Sequence, residues 1–169
     1  MKSLDEESLK MYFGMATSKD YIDSLMSKVN SNKLMHDFII AEDEDLNIVG
    51  VLHLATITED KMEIAIAVSP HRRKQGIADK MMTMALTICQ NKNKNGIFMH
   101  CLSWNKPIVN LVTKYGLKVE RDGTDADAYV KLPPAALDSY FKEMLLYNQN
   151  LFQRNLNFGT HFLRELSSY

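Results

Sequence analysis

One stretch near the middle of the chain constrains the fold more than any other, because a strand pattern, a basic loop and a helix start follow one another directly. Residues 62–68 are apolar except for Glu63, which is typical of a buried strand. Pro70 closes the strand, since proline donates no hydrogen bond to a sheet ladder. From Gly76 to about residue 90, apolar residues recur at helical spacing. The chain therefore places a helix immediately after a strand.

Patterns on both sides of this unit add further strands and helices. Two apolar runs, residues 38–41 and 48–57, flank an acidic turn and predict an antiparallel hairpin. Helical spacing predicts two short helices within residues 4–29. Downstream, we predict a strand over residues 97–102, a helix over 106–114, and a hairpin that joins 117–120 to 128–132 through a turn at 122–125. We therefore expect an α/β (α+β) domain over residues 1–132, with a mixed, mainly antiparallel sheet flanked by helices.

Composition limits the class of protein. The chain has 169 residues, of which 46% are hydrophobic and 24% charged, and its formal net charge is −1. This balance excludes bulk disorder and argues against a protein built to bind nucleic acid. No apolar run approaches the roughly 18 to 20 residues that span a bilayer, and residues 1–10 lack the apolar core of a signal peptide. We therefore predict a cytoplasmic protein without a membrane partner.

The cysteines and histidines carry no signal for a metal site or a disulfide framework. Cys89 and Cys101 do not form a Cys-x-x-Cys motif, and no two histidines are three or four residues apart. We expect two reduced thiols and no bound metal.

The loop before the main helix has the composition of an anion site. A helix start leaves backbone N–H groups unpaired, and Gly76 and Ala78 have little side chain to block an approaching ligand. Arg73 and Lys74 add positive charge beside these groups. A diphosphate would fit there. However, any strand-to-helix turn favours glycine and solvated basic residues, so the loop by itself leaves both interpretations open.

A family resemblance covers roughly residues 38–132 and adds to this pattern. Residues 73–78, Arg-Lys-Gln-Gly-Ile-Ala, resemble the Arg/Gln-x-x-Gly-x-Gly/Ala signature of the GNAT superfamily of acyl-CoA-dependent N-acyltransferases. Three further segments resemble motifs of the same family: Val68-Ser69-Pro70, Asn105-Lys106-Pro107 and Tyr115-Gly116-Leu117. Within the family, the sequence of residues 62–132 most resembles the catalytic domain of bacterial protein-lysine acetyltransferases. The resemblance implies the GNAT fold.

The resemblance also implies that acetyl-CoA binds as co-substrate in a V-shaped opening between the strand ending at Val68 and the strand ending near Leu102. The backbone of Ile66 and Val68 would pair with the pantetheine arm, and the amides of residues 75–78 would hold the diphosphate. The implied cofactor-binding residues are Ile66, Val68, Arg73, Lys74, Gln75, Gly76, Ile77, Ala78 and Asn105. The Asn105 amide would bind the arm or order a water near the thioester, and it is also placed to cap the next helix. These two roles are not exclusive.

Acyl transfer to an amine needs a base, because a lysine-like amine has an unperturbed pKa of about 10.4. Glu63 is our candidate for this base, since it is the only acidic residue in its strand. In the family that it resembles, a glutamate on this strand often acts as the general base. The alternative is a solvated carboxylate near the strand start. Many family members also have a tyrosine that acts as general acid at the position where this chain has Val112. We expect the nearby Tyr115 to be a packing residue. We therefore predict Glu63 and Asn105 as catalytic residues and assign no general acid.

Pro133-Pro134 begins a predicted helical extension over residues 133–169, whose apolar stripe must pack on its own domain or in a homodimer.

The predicted function is transfer of an acetyl group from acetyl-CoA to a primary amine, in a small molecule or a protein lysine. Acidic residues 42–45 and 122–127 would attract a cationic acceptor, although acidic turns are usually just solvated. The alternative is a non-catalytic acyl-CoA sensor or interaction scaffold, which Val112 favours and Glu63 opposes.

Overall fold

The computed structural model describes residue 27 and residues 35–149, and these residues form a six-stranded sheet with helices. The strands are β1 (His36–Glu42), β2 (Ile48–Thr58), β3 (Lys61–Val68), β4 (Gly96–Leu102), β5 (Lys118–Asp122) and β6 (Asp125–Lys131). The helices are α1 (Ile77–Asn91), α2 (Lys106–Lys114) and α3 (residues 137–149). Apart from Ser27, the two short helices predicted upstream lie outside the described residues, as does the tail beyond residue 149.

The sheet is mixed and mainly antiparallel, as the sequence predicts. Its strand order is β1-β2-β3-β4-β6-β5, and the β3–β4 pair is parallel while the other four pairs are antiparallel. The predicted turn over residues 122–125 is present. Asp122 and Asp125 pair with each other across it, and Gly123 adopts a left-handed φ of 58° that allows a tight hairpin.

The core lies between the sheet and α1. The alternation of strand side chains sends Met62, Ile64 and Ile66 into this core, where they share a buried cluster with Met81 and Met82. Met81 and Met82 of α1 therefore fill core space, which flexible thioether side chains do well. The two helices that follow β3 and β4 thus cover one face of the sheet.

A glycine in β2 lets α1 approach the sheet closely. A Cβ built on Gly50 would lie 3.0 Å from the Sδ atom of Met81 and 3.1 Å from Ile77. These distances are shorter than ordinary van der Waals contacts, so with a larger residue the Met81 and Ile77 side chains would have to shift. The start of α1 is consequently held near the middle strands.

The described part of the predicted extension, α3, is attached to the far end of α1. Ser139 is 5% exposed, its backbone carbonyl accepts a hydrogen bond from Asn91 Nδ2 (3.1 Å), and its hydroxyl bonds to Asn91 Oδ1 (2.5 Å). The hydroxyl of Tyr140 donates to the Asn91 carbonyl (3.2 Å). The large apolar side chains of α3 nevertheless remain exposed among the described residues, including Leu137, Phe141 and Met144. A homodimer through this stripe stays a prediction.

Both cysteines are buried free thiols, as expected. Burial raises the pKa of Cys89 to about 12 and also raises the pKa of Cys101. In the part of the chain that the structure describes, no helix has both the length and the apolar character needed to cross a membrane.

Candidate active site

The sheet opens between β3 and β4. These two strands pair only at Lys61 with Gly96, Met62 with Ile97, and Glu63 with Phe98. Beyond Glu63 the β3 strand continues to pair with β2, up to Val68 opposite Gly50, but no longer with β4. The predicted V-shaped opening is therefore present, and Glu63 stands at its apex.

The main chain of β3 turns hydrogen-bonding groups into this opening. The Ser69 amide donates to the Val49 carbonyl (2.8 Å), so residue 69 faces β2. Since main-chain groups alternate along a strand, those of Val68 and Ile66 point away from β2, towards β4. The Val68 carbonyl accepts a hydrogen bond from Arg73 Nε (3.2 Å). The edge of Ile66 and Val68 that is predicted to pair with a pantetheine arm thus faces the opening, where Arg73 occupies the Val68 carbonyl.

A cavity of about 360 Å³ lies beside the opening, between β3 and the two helices. Its lining is Ile66, Ala67, Val68, Arg72, Arg73, Lys74, Gly76, Ile77, Ala78, Asp79, Asn105, Pro107, Ile108 and Leu111. All the predicted cofactor-binding residues except Gln75 are in this set. The Gln75 side chain instead donates to the His71 carbonyl (3.5 Å). The cavity is apolar along the helices and cationic at the loop.

The loop that leads into α1 has two left-handed residues. Lys74 has φ 61° and Gly76 has φ 76°, and among the described residues no side chain caps the helix at Gly76. The first backbone bond of the helix runs from the Lys80 amide to the Gly76 carbonyl (3.0 Å), so the amides before it have no partner within the helix. A non-glycine residue at positive φ is strained, and such strain concentrates at binding loops. The unpaired amides of this concave loop and the positive end of the helix dipole together favour the binding of an anion.

Two basic residues of the loop, Arg72 and Arg73, are held by a carboxylate and a carbonyl group. Arg72 Nη2 lies 2.9 Å from Asp43 Oδ2, in the turn between β1 and β2. Asp43 also accepts hydrogen bonds from the backbone of Asn47 and Asp45, and these bonds, with Arg72, hold its pKa below the usual range. The acidic turn therefore supports the basic loop. Sequence reasoning missed this role, because no pattern connects residue 43 to residue 72.

Asn105 is buried at the cavity wall, with 5% of its surface exposed. It occupies the N-cap position of α2, and its backbone carbonyl accepts a bond from the Val109 amide (3.0 Å). However, within the described residues its side chain makes no capping hydrogen bond. Pro107 at the start of α2 removes one amide that a cap would otherwise serve. The Asn105 amide is thus available to a ligand, and the capping alternative is not realised.

Glu63 lies on the opposite face of the sheet from the cavity. It alternates with the core residues Met62 and Ile64, is half-buried, and stands between Ala55 of β2 and Phe98 of β4. It is not part of the cavity lining. Any group that reaches Glu63 from the cavity must pass through the opening between the strands.

Three aromatic and aliphatic positions near the site are structural or exposed. Val112 is fully buried in the core. The Tyr115 hydroxyl donates to the Asp79 carbonyl (2.8 Å) and bonds to Thr83 Oγ1 (2.7 Å), and burial raises its pKa. Trp104 is 49% exposed and does not belong to the core. Tyr115 therefore acts as a packing residue that ties α2 to α1.

The sequence matches the model of the acetyltransferase (GNAT) family over residues 1–117. The chain therefore belongs to this family and is an acyltransferase enzyme. This agrees with the resemblance carried by residues 73–78. No curated protein sequence matches the chain significantly.

Solved structures of three N-acetyltransferases or GNAT domains share the fold. A spermidine N-acetyltransferase from Vibrio cholerae, in complex with CoA and spermine, has TM-score 0.63 and 19% identity, covering 75% of this chain and 83% of the other. The GNAT domain of S. lividans PAT has TM-score 0.64 and 12% identity, covering 76% and 79%. The PaiA N-acetyltransferase from Thermoplasma acidophilum, in complex with coenzyme A, has TM-score 0.57 and 22% identity, covering 75% and 87%.

Among the described residues, no group of three or more His, Cys, Asp or Glu side chains is placed to hold a metal ion.

Proposed function

We propose that this enzyme transfers an acetyl group from acetyl-CoA to a primary amine. The observation that carries the proposal is the opening between β3 and β4, bordered by a cavity whose far end is the uncapped, cationic start of α1. A molecule with an apolar arm and a diphosphate fits these two chemistries. Two of the structural neighbours are complexes with CoA, which supports the same co-substrate.

The chain's residues divide the binding of acetyl-CoA between them. The amides at Gly76, Ile77 and Ala78 would hold the diphosphate, with Arg73 and Lys74 supplying charge. The inward main-chain groups of Ile66 and Val68 would pair with the arm, and Arg73 would release the Val68 carbonyl as the arm enters. The buried amide of Asn105 would hydrogen-bond the arm or a water beside the thioester.

The acetyl transfer itself would use Glu63 as general base. A protonated amine on the Glu63 face loses one proton to this carboxylate, and its nitrogen then bonds to the thioester carbonyl carbon. The carbon–sulfur bond breaks, and the second proton that the nitrogen releases neutralises the departing thiolate. Main-chain amides of β3 would stabilise the negative charge on the carbonyl oxygen. A thiol has an unperturbed pKa of about 8.5, so CoA leaves without an assigned acid.

We propose that the acceptor is a small cationic amine or a protein lysine, and that it approaches the Glu63 face of the sheet. Asp125 and Asp127 share this face, since Phe98 and His100 of β4 lie in register with β6. Spermidine N-acetyltransferases are among the structural neighbours, which supports a polyamine acceptor.

Calorimetric titration with acetyl-CoA tests the cofactor part of the proposal. The wild-type chain should bind, and a variant with Arg73→Glu and Gly76→Asp should lose binding. A matched control carries Arg121→Glu and Gly123→Asp, which reverse a charge and replace a positive-φ glycine in the β5–β6 hairpin. The control should bind like wild type. Absence of binding by the wild type would overturn the proposal.

Thiol release with a panel of amines then tests the transfer. Spermidine, free lysine and a lysine-containing peptide are the probes. Glu63→Gln should reduce turnover by about 100-fold or more, because it removes the proton acceptor but keeps the shape of the side chain. Acetyl-CoA affinity should stay unchanged. Turnover that survives in Glu63→Gln would contradict the base assignment, and binding without turnover on any amine would favour the acyl-CoA sensor.

A further inference from the structure

A carboxylate stands at the rim of the cavity where an anion is expected. Asp79 lines the cavity and lies in the first turn of α1, directly after Gly76, Ile77 and Ala78. An acidic residue in a first turn interacts favourably with the helix dipole. However, its negative charge repels a diphosphate bound at the same helix start. The site therefore needs a means of reducing this repulsion.

Lys114 supplies a compensating charge from the other helix. It is the last residue of α2, and its Nζ forms an ion pair and hydrogen bond with Asp79 Oδ1. The ammonium also lies 5.7 Å from the centre of the Tyr115 ring. This pairing lowers the pKa of Asp79 and raises that of Lys114, as expected when each charge stabilises the other.

The same residues join the two helices that wall the cavity. The Asp79 carbonyl accepts the Tyr115 hydroxyl (2.8 Å), and Thr83 of α1 bonds to that hydroxyl (2.7 Å). Ile77 and Ala78 of α1 face the cavity from one side, and Ile108 and Leu111 of α2 also line it. A contact at Asp79 is thus able to influence both the charge at the rim and the spacing of the walls.

We propose that Lys114 is a positioning residue for the diphosphate of CoA, and that its ammonium neutralises Asp79 so that the start of α1 remains attractive to an anion. The inference rests on the proposed binding of CoA in this cavity. Tyr115 holds the helix spacing through the Asp79 carbonyl, so removal of the Lys114 charge leaves that second tie in place. The role of Lys114 is electrostatic, and it does not touch the reacting atoms.

Two ligands separate this role from a structural one. CoA carries the diphosphate, whereas S-acetylpantetheine carries the arm without a phosphate. Lys114→Met should weaken CoA binding about fivefold at low ionic strength, since an uncompensated charge a few ångströms away costs that much near water. The loss should shrink in 0.5 M salt because the charges are screened. Binding of S-acetylpantetheine, measured by its displacement of CoA, should not change.

Four further variants complete the experiment. The double variant Lys114→Met with Asp79→Asn should regain wild-type affinity, and Lys114→Arg should retain it. Lys92→Met is the matched control, because Lys92 forms a similar pair with Asp37 at the opposite end of α1. Asp79→Asn alone should bind CoA at least as well as wild type. Thermal unfolding of each variant confirms that the fold is intact.

The outcomes are distinct. Unchanged CoA affinity in Lys114→Met would overturn the inference alone, provided the wild type binds. Equal losses for CoA and S-acetylpantetheine, or a loss that Asp79→Asn does not repair, would also overturn it, because they indicate wall spacing. A wild-type chain that binds no CoA would overturn the proposed function as well.

Discussion

The two ends of α1 treat their hydrogen-bonding groups in opposite ways. At the C-terminal end, Asn91 is bonded to Ser139 and Tyr140, and Lys92 pairs with Asp37. At the N-terminal end, no side chain among the described residues caps Gly76, and the first amides face a cavity. Both ends need partners, because a helix leaves its terminal groups unsatisfied. One end is completed by the chain itself, and the other is left for a ligand.

Replacement of Gly76 by Asp should have the largest effect, a loss of CoA binding at the N-terminal end of α1. The left-handed φ of 76° is unfavourable for a residue with a Cβ, and the new carboxylate would repel a diphosphate. Together these effects should cost about 2 to 3 kcal/mol, or roughly 30- to 150-fold in CoA affinity. Titration with CoA measures the loss. Gly123→Asp, at another positive-φ glycine, should leave the affinity unchanged.

Replacement of Asn91 by Ala should affect stability and leave CoA binding intact. It removes the hydrogen bonds of Asn91 to the Ser139 hydroxyl and carbonyl, although the hydroxyl stays bonded to the Ala136 backbone, and the lost bonds together cost about 1 to 3 kcal/mol. Urea unfolding should show a decrease in the free energy of unfolding within that range. If CoA affinity fell together with stability, the two ends of α1 would not be independent.

Two lysine variants sharpen the contrast between the ends. Lys74→Met removes a cavity-lining charge at the N-terminal end, whereas Lys92→Met removes an exposed charge at the C-terminal end. We expect CoA affinity to fall about fivefold in the first and to stay unchanged in the second. Similar losses in both variants would show that only the overall charge matters.

The smallest expected effect is a change in the pH dependence of stability in Asp79→Asn. The pKa of Asp79 is lowered in the folded protein, chiefly by Lys114, so the folded state holds the charged form more strongly than the unfolded state does. Its contribution is therefore present at neutral pH and is lost as pH falls through the acidic pKa. Urea midpoints of wild type and Asp79→Asn should differ slightly at pH 7 and converge as pH falls below the lowered pKa of the folded state. A difference that grew in acid would contradict this assignment.

Sequence patterns predicted the order of strands and helices well where the periodicity is strong. Residues 62–68 and 97–102 are strands, and the helix after Gly76 is present. The hairpin turn at residues 122–125 is also present, because Gly123 and the aspartates beside it are typical turn residues. Gly123 adopts the positive φ that such a tight turn needs.

The candidate site was predicted in part. The glycine-containing loop is local in sequence, so its residues could be identified from residues 73–78 and from the family resemblance. Asp43, Asp79 and Leu111 were missed, because their relation to the loop depends on which elements pack together. Helical spacing places Ile108 and Leu111 on one side of α2, but it does not indicate that this side faces a cavity.

The sequence by itself determined which residues form strands and helices, and it determined the loop that can hold an anion, because these depend on contacts between near neighbours in the chain. The tertiary structure alone decided where β3 and β4 separate, that Glu63 lies across the sheet from the cavity, and that Lys114 meets Asp79. Those relations join residues far apart in sequence, and only the packing of the sheet and its helices brings them together.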